Sequence, residues 1–86
     1  MEVWVIINKW VKHGEYHAGI YLYSSEKEAQ REFNRMVENC KTYHETRITA
    51  HDYEIDDDLD YLFSIRHSKG KDVYYEEFFL TDRIVK

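Results

Sequence analysis

The chain is predicted to be an α+β domain: an antiparallel sheet of four to five strands with one helix across one face, in the order ββαβββ. Three observations carry this expectation. Segments rich in β-branched and aromatic residues, several with period-two alternation, occupy both the start and the last third of the chain. One segment, opening at "SSEKE", carries an apolar stripe at helical spacing. There is no proline and no Gly/Ser linker, so residues 1–86 read as a single domain. A chain of this length buries roughly 60–65% of its unfolded surface, enough to fold alone with a modest margin.

Residues 2–10 read as the first strand. Val3, Val5 and Ile7 fall on one face, Trp4 and Ile6 on the other. A strand apolar on both faces is usually central in its sheet, or belongs to a sheet covered on both sides. "KHGE" turns around Gly14, and "YHAGIYLY" (16–23) alternates as a second strand, making a hairpin with the first. "SSEKE" is a helix start with a mechanism: Ser25 caps the N–H of Glu28, and Glu28 reaches back to Ser25. Ala29, Phe33, Met36, Val37 and Cys40 then draw one stripe along a helix of about 15 residues. A loop is expected near residues 42–45. A third strand follows, from about 46 to 55, with a β-bulge near 50–52, because apolar parity switches from Ile48 and Ala50 to Tyr53 and Ile55. Residues 59–67 give a fourth strand, with Leu59, Tyr61, Phe63 and Ile65 on one face. "SKGK" turns, residues 72–80 make a fifth strand, and "TDRIVK" is a tail pairing at an edge.

One helix covers only one face of such a sheet. Fourteen aromatic residues, eight of them tyrosine, exceed what a small core encloses. The uncovered face is therefore expected to carry several aromatics and to meet a partner or a second copy.

The formal charge of −5 disfavours direct nucleic-acid binding. Its distribution is uneven. Residues 45–60 hold seven acids against Arg47 alone, a local charge of −6; the rest of the chain carries ten acids and eleven bases. No apolar run approaches the ~20 residues of a membrane span, and "MEVWVIINKW" lacks the features of a signal peptide. The single cysteine forms no internal disulfide, so a cytoplasmic setting is expected.

The acidic run is "HDYEIDDDLDYLF" (51–63). Asp52, Glu54, Asp56, Asp58 and Asp60 share even parity; fully extended, they would line one face at about 6.6 Å intervals. Tyr53, Ile55, Leu59, Tyr61 and Phe63 would back them, interrupted by Asp57. A solvated hairpin turn accounts for such a run most simply. Clustered carboxylates also stand in for phosphates in a groove lined by Arg and Lys. The candidate partner-binding residues are thus Asp52, Glu54, Asp56, Asp57, Asp58 and Asp60, with Tyr53 and Tyr61 as apolar anchors. A calcium loop does not fit. Counted from Asp52, positions six and twelve hold Asp57 and Phe63; counted from Asp56, they hold Tyr61 and His67.

His13 and His17 flank a turn and have no cysteine partner, so no metal is expected. Cys40 lies on the apolar stripe and reads as a core thiol, with His44 one turn beyond. GxSxG, Walker and GxGxxG motifs are absent; no catalytic residue and no cofactor is expected.

"EVWVIINKW", "GIYLYSSEKEAQREF" and "VYYEEFFL" together resemble a pattern of small proteins of bacteriophages and prophages: strand, strand ending in "(F/Y)SS", helix, closing aromatic-acidic strand. The resemblance covers residues 2–36 and 73–80 and leaves residues 44–66 without a counterpart. It implies a setting of phage–host conflict, where small acidic inhibitors of CRISPR and other defences act. The expectation is a non-enzymatic inhibitor whose acidic segment occupies the basic groove of a bacterial defence or nucleic-acid-handling protein. Two rivals stand beside it: a dimer that sequesters or senses a small ligand such as a nucleotide signal, and a small metal-dependent nuclease.

Overall fold

The period-two segments form strands and the apolar stripe forms the helix. The computed structural model describes residues 2–12, 14–47, 53–69 and 72–84. Strand β1 (Glu2–Lys12) pairs antiparallel with β2 (Glu15–Tyr23), from Lys12 opposite Glu15 to Trp4 opposite Tyr23. Gly14 takes φ 78°, a left-handed conformation that side chains with a Cβ rarely adopt. Helix α1 (Glu26–Arg47) follows, then β3 (Tyr53–Asp58), β4 (Leu62–Lys69) and β5 (Asp72–Ile84). The five strands form one sheet in the order β2-β1-β5-β4-β3, antiparallel throughout. The architecture is thus an antiparallel α+β sheet with one helix, ββαβββ. β1, apolar on both parities, lies inside the sheet as its pattern suggests.

The core sits between α1 and one sheet face. Ile6, Phe63, Ile65, Phe78 and Leu80 meet Ala29, Phe33, Val37 and Cys40, all buried. The register explains the clustering: Ile6 stands opposite Leu80, and Phe63 opposite Phe78. Fully burying one such side chain stabilises by about 1.5–3 kcal/mol. Trp4, Tyr23, Met36 and Tyr53 pack around the rim. At the helix start, Ser25 Oγ accepts the N–H of Glu28 at 3.3 Å, and Ser25 C=O accepts that of Ala29 at 3.0 Å.

Four expectations change. The helix runs 22 residues, not about 15, and takes in the expected loop at 42–45. The reason is His44, which continues the stripe one turn past Cys40 and is 1% exposed. Next, β3 begins at Tyr53 rather than near residue 46 and reaches Asp58; the bulge expected near 50–52 lies outside the described residues, whereas a register shift occurs between Ile55 and Asp57. Leu59 and Tyr61 do not share a strand face with Phe63 and Ile65, because β4 starts only at Leu62 and both lie exposed in the preceding loop. Finally, residues 81–84 are not an edge tail. They lengthen β5, which lies mid-sheet and pairs with β1 as far as Glu2 opposite Ile84.

The opposite face is open. Ile7 stands on it between Ile20 and Phe79, and Val5 beside Leu22. Of the expected aromatics it carries Tyr16, Tyr75 and Phe79 by strand alternation; the rest of its apolar surface is aliphatic.

Candidate partner-binding surface

The acidic residues gather at β3, one outer edge of the sheet, and in the loop after it. They do not form a single ladder. The register shift at Ile55/Asp57 breaks the parity: Glu54 stands opposite Arg66, Asp57 opposite Ser64, Asp58 opposite Phe63. A bulge adds one residue to one strand, so each side chain beyond it changes faces relative to an unbroken count. Glu54 and Asp56 both reach Arg66, through Nη2 to Glu54 at 3.0 Å and Nε to Asp56 at 3.0 Å. Asp57 accepts the Ser64 hydroxyl at 2.7 Å. Asp58 turns to the helix side and meets Lys41 Nζ at 3.0 Å, and that ammonium also lies 5.5 Å from the Phe63 ring centre. Asp52 lies outside the described residues. Among the described residues, three of the five carboxylates at this edge thus pair with two bases, leaving negative charge at the surface.

The loop at 59–61 is pinned on several sides. Leu59 N–H donates to Leu62 C=O at 2.8 Å, and Leu80 N–H to Tyr61 C=O at 2.8 Å. From the helix, Gln30 Nε2 donates to Asp60 C=O at 2.9 Å. Leu59 and Tyr61 are nonetheless 49% and 53% exposed. The Tyr61 ring meets Phe79 edge-on at 6.5 Å. A groove of about 160 Å³ runs between helix and loop, lined by Phe33, Val37, Lys41, Asp58, Leu59 and Asp60 among others. Fixed backbone, exposed apolar side chains and carboxylates thus meet at one tip. Tyr53 is placed otherwise. It is half-buried, packs against the core and lies edge-on to His44 at 5.6 Å, so it is no exposed anchor.

A second polar cluster sits between the C-terminal half of α1 and the sheet. Glu76 accepts from Tyr74 Oη at 2.9 Å, Asn8 Nδ2 at 3.2 Å and Cys40 Sγ at 3.4 Å. Burial, aided by the Glu76 carboxylate, pushes the Cys40 thiol up to about 12 and raises the Tyr74 phenol further. The thiol stays protonated near neutrality, which argues against a cysteine nucleophile. His44 Nδ1 lies 2.9 Å from Cys40 C=O, while its buried Nε2 has no hydrogen-bond partner among the described residues. The centres of the His67 and Tyr74 rings stand 5.4 and 5.9 Å from that of the His44 ring. A cleft of about 360 Å³ opens beside Glu76, Cys40 and Asn8, with Arg35 and Asn39 at its rim. Among the described residues, no three His, Cys, Asp or Glu side chains are grouped to hold a metal ion. His13 and His51 lie outside them, and His17 stacks on Trp10 at 5.4 Å.

Sequence reasoning identified the acidic segment and the exposed Tyr61 but not the exposure of Leu59 or the Glu76 cluster. The acidic-aromatic strand "YYEEFF" held a signal: a glutamate at the inward-facing parity of a central strand needs donors. Among the described residues no helix is long and apolar enough to cross a membrane. No family model matches the chain, nor does any curated protein or solved structure.

Proposed function

We propose that the protein is a non-enzymatic inhibitor that docks its β3 edge into the basic groove of a nucleic-acid-handling protein of a bacterial cell, a defence nuclease complex being the class that the phage-like segments imply. The observation that carries this reading is the pinned tip. Asp58 and Asp60 flank exposed Leu59, and Tyr61 follows. Carboxylates supply the phosphate-like charge, and the two apolar side chains supply the buried contacts that dominate interface energetics. Because the loop is held by hydrogen bonds before binding, little ordering entropy is lost on docking.

The test is affinity capture from bacterial lysate at low and high salt, with the wild type and with Glu54→Lys/Asp56→Lys/Asp60→Lys. This variant leaves the Asp57–Ser64 and Asp58–Lys41 contacts in place. The expected outcome is a salt-sensitive basic partner lost in the variant, with an unchanged far-UV circular dichroism spectrum. Tyr61→Ala should weaken the same complex about tenfold or more. A variant that captures the same partner as the wild type would overturn the reading.

A second reading, sequestration of a small nucleotide-like ligand, is favoured by the Glu76–Arg35 cleft, where a carboxylate and a guanidinium border one opening. A thermal-shift panel of nucleotides separates the two. A large stabilisation abolished by Glu76→Gln would favour the ligand.

A further inference from the structure

We infer that two copies of this chain pair through β2 in antiparallel orientation, making a ten-stranded sheet closed by a two-fold axis. β2 is the outer strand opposite β3, nine residues long, and its register with β1 is unbroken. In an antiparallel ladder alternate residues aim both backbone groups at the same neighbour, so half of the N–H and C=O groups of β2 point away from β1. Outer strands are normally blunted by charge, proline or a bulge, because a bare edge recruits another strand. β3 has such protection: it is short, carries the register shift and bears Glu54, Asp56, Asp57 and Asp58. β2 has none. From Tyr16 to Tyr23 it holds no Asp, Glu, Lys or Arg.

Its side chains suit a copy of itself. Tyr16, Ile20 and Leu22 are 64%, 66% and 68% exposed on the open face. In the antiparallel register that overlaps all nine residues, Gly19 lies on the axis; Tyr16 stands opposite Leu22 of the second copy and Ala18 opposite Ile20. Aromatic–aliphatic cross-strand pairs of this kind stabilise a sheet. The charge distribution permits it, since the acidic cluster of β3 sits on the far edge of each copy and ends up at opposite ends of the dimer, and in this register Glu15 stands opposite Tyr23 of the second copy rather than another acid. It also makes the assembly finite: each outer edge is then an acidic β3, which offers no free strand to a third copy. The homodimer expected on the uncovered face is thereby placed at β2 and the adjoining strip of that face.

Sedimentation equilibrium from micromolar to millimolar concentration, on the wild type and on Ile20→Lys/Leu22→Lys, tests this. The wild type should approach twice the 10.6 kDa of one chain. The variant, altered only at exposed positions, should stay at one chain mass with unchanged circular dichroism. A monomeric wild type at all concentrations overturns the inference, as does a variant that still dimerises. Should the lysine variant fail to fold, amide exchange of the wild type decides. Protection of alternate β2 amides that is lost on dilution supports pairing; exchange independent of concentration overturns it.

Discussion

Glu76 shows how much one residue organises. Its two oxygens accept from a phenol, a thiol and a carboxamide contributed by β5, α1 and β1. A carboxylate drawn partly out of water is stabilised when donors replace the water it loses. Its field also acts on its donors: with burial, it holds the Cys40 thiol at about 12, and Tyr74 likewise titrates late. Two measurements follow. Native Cys40 should resist a thiol reagent at mildly alkaline pH and react fully once unfolded. Stability should also fall as pH rises from about 9, the ordinary thiol value, towards 12. In that window the unfolded chain has lost protons that the folded chain retains, so unfolding is favoured by each further rise. Tyr75, raised to about 12 by burial and its bond to Glu77, adds to the same slope. Glu76→Gln should flatten this alkaline loss while leaving the part due to burial and Glu77, as followed by thermal melts across the pH series.

At the scale of elements, α1 is set by its stripe and its cap. Ser25→Ala removes the hydroxyl that holds the Glu28 N–H and should cost about 1 kcal/mol, read as a lower denaturation midpoint with an unchanged slope. The other end of the helix was hidden in the sequence by residue class. His44 counts as polar, yet it occupies the next inward position after Cys40 and is almost fully buried, with a hydrogen bond from one ring nitrogen and aromatic rings around it. A stripe scored on hydrocarbon alone ends too early. β3 fails in the opposite way. Its even-numbered acids suggested one face, and a single register shift divides them between Arg66 and Lys41.

At the scale of the whole molecule, the two outer strands are treated differently. β3 is short, bulged and acidic; β2 is long, regular and uncharged over its apolar part. On the proposed pairing through β2, charge also keeps the other edge unpaired, apart from any partner it attracts. Replacing Glu54, Asp56 and Asp58 together with threonine should weaken that protection, leaving only the short length, the register shift and Asp57. Sedimentation should then show species beyond the dimer, growing with concentration, because a second strand edge becomes open to pairing.

The sequence by itself determined the class of fold, the hairpin, the start of the helix, the core stripe and the concentration of acid in one segment. Each of these rests on local chemistry: alternation, helical spacing, a serine cap and plain charge count. The tertiary structure decided the rest. It placed β5 in the middle of the sheet, put the acidic strand and the bare strand at opposite edges, and drew Cys40, Tyr74 and Asn8 onto Glu76. Strand order and long-range hydrogen bonds depend on which distant segments find one another. A pattern read along the chain constrains each segment but not its neighbours in space.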